Sequence, residues 1–87
     1  MKNLGRIGTL FRHLAYDDYG NSIGYLGDFD IQFVNGRHFG PLAMGREFDV
    51  LIDDCWTPTA LGYDAVKDWY FFEGIGYIYE LGQTVRI

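Results

Sequence analysis

The chain has 87 residues and a mass of 10.0 kDa, enough for one hydrophobic core and too little for two. Residues 1–87 therefore read as a single small domain. Its 48% hydrophobic and 18% aromatic content argues against disorder, its single cysteine excludes an intrachain disulfide, and no apolar run approaches the ~18 residues of a membrane span. The net charge of −5 is unevenly placed. Lys2, Arg6, Arg12, Arg37 and Arg46 slightly outnumber Asp17, Asp18, Asp28 and Asp30, so nearly all the negative excess falls after Arg46.

Along the chain, the first stretch supports two periods. Leu4, Ile7, Leu10, Phe11 and Leu14 have helical spacing with Asn3 as an N-cap. Gly5 and Gly8 each oppose such a helix, and Ile7, Thr9 and Phe11 make a strand face instead. Asp17-Asp18-Tyr19-Gly20-Asn21 lacks the alternate ligands of a calcium loop and reads as an Asx-type turn. Asp28 to Phe33 alternates strictly, placing Phe29, Ile31 and Phe33 inward and Asp28 and Asp30 on a solvated face. Asn35-Gly36 then signals a hairpin, with a return strand cut short at Gly40-Pro41. In Glu47 to Ile52, Phe48, Val50 and Ile52 face inward while Glu47 and Asp49 face water. Asp53-Asp54 fits a tight turn back into Cys55-Trp56-Thr57.

Thr57-Pro58 can be read as a helix start, with Leu61, Ala65, Trp69 and Phe72 on one stripe. Alternatively, Pro58 marks an edge, a bulge or a strand end, and the β-rich Trp69-Tyr70-Phe71-Phe72 favours strand. Tyr77-Ile78-Tyr79 suits a short strand or turn. Val85 and Ile87 share one face of a terminal strand. The fold expected is all-β, a small five- or six-stranded barrel of SH3-like size with room for one short helix. Closure would remove the edges that many short strands create.

Several motifs resemble a family of small uncharacterised domains encoded by Gram-positive bacteria and their plasmids, phages and integrative elements. They are Gly8-Thr9-Leu10, Phe29-Asp30-Ile31, Gly45 with Phe48-Asp49-Val50-Leu51-Ile52, Trp56-Thr57-Pro58-Thr59, Trp69-Tyr70, Leu81-Gly82 and Val85-Arg86-Ile87. The resemblance implies a small β-barrel, with no activity to carry over, and tips both disputed stretches toward strand. Ala15 to Gly27 and Leu61 to Lys67 depart from the family pattern.

No catalytic or cofactor constellation emerges. His13, His38 and Cys55 share none of the paired spacings of a zinc site. Neither a metal nor any other cofactor is expected, and Cys55 reads as a small apolar filler rather than a nucleophile. No glycine pattern matches a phosphate loop. The absence of an apolar leader in MKNLGRIGTL points to the cytoplasm of a bacterial host.

Three functional classes compete, and the third, a small enzyme, ranks last because no catalytic constellation is present. The first is a non-enzymatic protein-binding module, in its sharper form a mobile-element inhibitor of a host defence nuclease. It would present Glu47, Asp49, Asp53, Asp54, Asp64 and Asp68 to a basic, nucleic-acid-processing partner, with Trp56, Tyr16, Tyr19 and Tyr25 as anchors. The second is direct nucleic-acid binding through Arg6, Arg12, Arg37 and Arg46 with stacking tyrosines. The negative charge opposes it.

Overall fold

The computed structural model describes residues 6–87, apart from the side chains of residues 24–26. The N-cap and first apolar positions of the helical alternative, Asn3 and Leu4, and also Gly5, lie outside the described residues. The rest of that stretch is strand: β1 runs from Ile7 to Tyr16 and β2 from Ser22 to Phe33. Then come β3 (Glu47–Ile52), β4 (Cys55–Asp64), β5 (Trp69–Phe72), β6 (Gly76–Tyr77) and β7 (Thr84–Arg86). No helix occurs among the described residues, so both disputed stretches resolve as strand. Among the described residues no helix is therefore long and apolar enough to cross a membrane.

The strands form one antiparallel sheet in the order β2-β1-β7-β3-β4-β5-β6. The C-terminal strand is inserted at its centre. Val85 pairs with Gly8 on one side and Val50 on the other, and is fully buried. Gly8 is required there by close approach: a Cβ would sit 2.6 Å from the Gln32 carbonyl oxygen and 2.6 Å from Ile31 Cγ2.

The alternating faces read from sequence in β2 and β3 are largely the buried ones, but in β1 the inward positions are Gly8 and Leu10, while Ile7 and Thr9 are exposed and Phe11 is only half-buried. Leu10, Phe29, Ile31, Phe33, Phe48, Val50, Leu61, Phe72 and Val85 form a core with Leu42 and Ile78, and Ile52 and Ile87 pack against it. Asp17 Oδ1 accepts the N–H groups of Tyr19 and Asn21, making the expected Asx-type turn between β1 and β2. Asp53 and Asp54 both hold positive φ, as a two-residue hairpin turn with matching twist demands. Pro58 lies where β4 has only β3 beside it, since its pairing with β5 begins at Leu61. This satisfies the rule that proline stays out of doubly paired strand positions.

Two features differ from a five- or six-stranded closed barrel. There are seven strands, because β6 and β7 are only two and three residues long. The sheet is also open, with no ladder between β2 and β6. Backbone closure at β2 is preempted by residues 37–42, which run along its outer edge. The N–H of Phe39 donates to the Ile31 carbonyl, the N–H of Leu42 to Phe29 and the N–H of Phe33 to Arg37, with a bridge between Gln32 and His38. The sheet nevertheless curls, so that side chains meet across the gap. Phe29 of β2 lies edge-on to Tyr70 of β5 at 4.9 Å, and the Arg12 guanidinium stacks on both rings, 4.7 and 4.8 Å from their centres.

Candidate functional site

The gap in the curl is a cleft of about 670 Å³. Arg12, Phe29 and Tyr70 form its floor, and the chain from Ile78 to Leu81 borders it. This border is tied at both ends. The N–H of Ile78 donates to the Tyr70 carbonyl, and the N–H of Gly82 donates to that of Leu10. The Trp69 indole N–H donates to the Ile78 carbonyl at 3.0 Å, fixing the ring at the mouth. Tyr79, 76% exposed, stands 6.0 Å from it, and Tyr77 is 6.4 Å from Tyr79. Asp68 and Glu80 are the acidic residues of the lining. Arg12 is committed inward, with Nε donating to the Gly27 carbonyl at 2.9 Å beside its two stacked rings.

The acidic residues named from sequence do not gather into one patch. Asp53 and Asp54 stand exposed before the first residue of β4, and Asp64 is its last. Nine strand steps separate the ends by up to about 30 Å. Asp64 and Asp68 organise the β4–β5 turn. Asp64 accepts the N–H groups of Val66 and Lys67 and the hydroxyl of Tyr77, while Asp68, at positive φ, accepts the Tyr63 hydroxyl. The Tyr77 hydroxyl and then the Lys67 N–H hold the Asp64 carboxyl below its ordinary value. The same pairs push the phenols of Tyr77 and Tyr63 up.

Glu47 is exposed as expected, but Asp49 is half-buried. Its Oδ2 accepts from Arg86 Nε at 3.1 Å and Nη2 at 2.7 Å. The same guanidinium covers Trp56 at 4.5 Å, so that indole is occupied by the chain itself. Tyr16 and Tyr19 are exposed at the β1–β2 turn, Tyr19 at 90%. The side chain of Tyr25 lies outside the described residues. Of the arginine group, Arg6 stacks on Phe33 and Phe39, Arg46 stacks on Phe39, and Arg12 lies apart in the cleft floor.

A second cluster was missed from sequence. Asp30, placed by period two on a solvated face, is 2% exposed. The solvated reading fails because residues 37–42 and the outer face of β1 cover that side of β2. Phe11 pairs directly opposite Asp30, and the Gln32–His38 bridge sets His38 on the face that carries Asp30. A register shift between Arg12 and Leu14 places His13 against the same carboxylate. His13 Nε2 lies 2.7 Å and His38 Nδ1 3.5 Å from Asp30 Oδ2. The N–H groups of Ile31 and Gly40 donate to Oδ1 at 2.7 and 3.0 Å. Burial alone would raise the Asp30 pKa, but the imidazole and the two backbone donors together hold it below the ordinary value.

His13 and His38, scattered in sequence, thus come together with nearly parallel rings, 5.9 Å apart and inclined by 22°. Cys55 is not in this group, and it is an exposed free thiol rather than a filler in the core. The usable signal was topological. The Asn35-Gly36 turn puts position 38 opposite 32, on the face shared with Asp30.

Residues 12–87 match the family model described as Domain of unknown function (DUF5348). The chain belongs to the DUF5348 family. The match includes the cleft and the His13–Asp30–His38 cluster, and begins after the Gly8-Thr9-Leu10 motif. No curated protein and no solved structure matches significantly. Among the two arrangements carried by this DUF5348 domain, the cleft has the volume and aromatic lining of a binding site.

Proposed function

We propose that this DUF5348 domain is a non-enzymatic protein-binding module whose cleft receives a lysine or arginine side chain of a basic partner. The observation that carries the reading is the combination in the cleft lining: the aromatic residues Trp69 and Tyr79 beside the acidic residues Asp68 and Glu80, with Arg12 held in the floor by Phe29, Tyr70 and the Gly27 carbonyl. Aromatic faces attract a cation through their quadrupole, and more strongly when water is excluded. The chain already uses this interaction for its own cations, with Arg12 over Tyr70 and Lys67 over Tyr77. The net charge of −5 favours encounter with a basic surface, and Asp68 and Glu80 lie in the lining where that surface would meet the cleft. A nucleic-acid-processing protein, possessing such a surface, is the partner class that fits, and occupation of its basic site would inhibit it.

The two tryptophans allow a direct test. In a Trp56→Phe background, Trp69 alone reports on the cleft. An arginine-rich peptide should change its fluorescence saturably. Glu80→Lys and Tyr79→Ala should each weaken that binding, and added salt should weaken it further. Binding of single-stranded DNA in place of the peptide, or identical peptide binding by both variants, would overturn the proposal.

A further inference from the structure

We propose that His13, Asp30 and His38 form a binding site for a divalent ion of the zinc type, with three protein ligands and an open fourth position. The donor set is two imidazoles and one carboxylate, which suits zinc-class metals. Their ligand atoms all lie within 4.8 Å of one another. Metal–ligand bonds of about 2.0–2.2 Å imply donors roughly 3.4 Å apart in a tetrahedral shell. The His38 Nδ1–Asp30 Oδ2 distance of 3.5 Å is already of that size, and it is too long for a good hydrogen bond. His38 is thus directed at the carboxylate without hydrogen bonding to it.

The supporting contacts are those a metal ligand needs. Asp30 is fixed through Oδ1 by the N–H groups of Ile31 and Gly40, while Oδ2 faces both imidazoles. Such outer contacts orient ligands and tune their affinity. Oδ2 shares a 2.7 Å hydrogen bond with His13 Nε2 that an ion would replace as the half-exposed ring moves outward by less than about 1 Å. Phe11 lies edge-on to both imidazoles, at 4.8 Å from His13 and 5.2 Å from His38, and closes one side. The histidine side chains are 47% and 43% exposed, which gives an ion access and gives the rings room to adjust. The ligands come from β1, β2 and the segment after β2. An ion would therefore fasten residues 37–42 to the hairpin.

The test is titration of the metal-free full chain with zinc chloride by calorimetry, and with cobalt(II) by visible absorption. Expected are one ion per chain, the intense bands of four-coordinate cobalt and a rise in Tm with zinc. His13→Ala and His38→Ala should each reduce affinity by more than about tenfold, whereas Cys55→Ser should leave it unchanged. Both histidines are partly exposed, so these variants remain informative where Asp30→Asn fails to fold. No binding, binding lost with Cys55→Ser, or binding that survives loss of either histidine would each overturn the proposal.

Discussion

Replacing Asp30 by alanine should be among the most destabilising single changes in the protein. The side chain is 2% exposed, and its carboxylate accepts from the N–H groups of Ile31 and Gly40 and from the His13 imidazole. Alanine removes the acceptor and leaves two backbone donors without it, in a place water reaches poorly. Hydrogen bonds to a charged group contribute about 1.5–3 kcal/mol each, and part of this returns as relief of carboxylate desolvation. A net loss of about 3–5 kcal/mol is expected. For a domain of this length that is a fall in Tm of roughly 15–30 °C. Asp30→Asn keeps an oxygen for the two N–H groups but makes the bonds neutral, so about half the loss should remain. His13→Ala removes only one half-exposed partner and should cost about 1 kcal/mol. Thermal unfolding followed by circular dichroism, with chelator present throughout, measures all three. An Asp30→Ala loss below that of His13→Ala would refute the view that the carboxylate organises this face.

Val50→Asp should be severely destabilising, because it buries an unpaired charge at a residue only 1% exposed. Glu47→Lys should stay within about 0.5 kcal/mol, whereas Asp49→Lys, which sets a second cation beside Arg86, should cost about 1–2 kcal/mol by urea denaturation. Gly8→Ala should cost about 1–3 kcal/mol, since the added methyl meets the Gln32 carbonyl and Ile31; wild-type stability would mean the β1–β2 register is wrong. Tyr63 and Tyr77 have pKa values raised above the ordinary 10.0 by hydrogen bonds to Asp68 and Asp64. Their stabilising contribution should be full below pH 10 and disappear as pH rises beyond it. Spectrophotometric titration of Tyr63→Phe and Tyr77→Phe should each lack a late-ionising phenol, and loss of an early one would contradict the assignment.

The features legible in the sequence were local. The register of Glu47–Ile52 follows from strict alternation, and the Asx turn at Asp17 from side-chain chemistry. The Asp53-Asp54 turn follows from the tolerance of aspartate for positive φ. Pro58 correctly signalled a singly paired position. The features that escaped required knowing which element covers which. Asp30 and Asp49 both sit on the polar side of an alternating strand, and period two treats them alike. One is buried because residues 37–42 lie over it, and the other is half-buried because the inserted C-terminal strand brings Arg86 beside it. The acidic residues likewise seemed close because they are close in sequence. A ten-residue strand instead carries Asp54 and Asp64 to opposite ends.

The open sheet explains why both candidate sites lie where they do. A closed barrel has no unpaired edge and no gap between its first and last strands. Here the β2 edge is satisfied by an irregular segment instead of a strand, and that segment delivers His38 to Asp30. The other end of the sheet stops at the two-residue β6, too short to offer an extended template for pairing. Because β2 and β6 do not join, side chains must complete the curl, and Phe29, Arg12 and Tyr70 do so while leaving space above them. The 18% aromatic content has a structural account in the same terms. Phe29, Phe33, Phe48 and Phe72 fill the interior, Arg6 and Arg86 cover Phe33 and Trp56, and Trp69 and Tyr79 remain at the mouth. The proposed binding cleft therefore lies where backbone closure stops, and the residues that replace closure are the ones that line it.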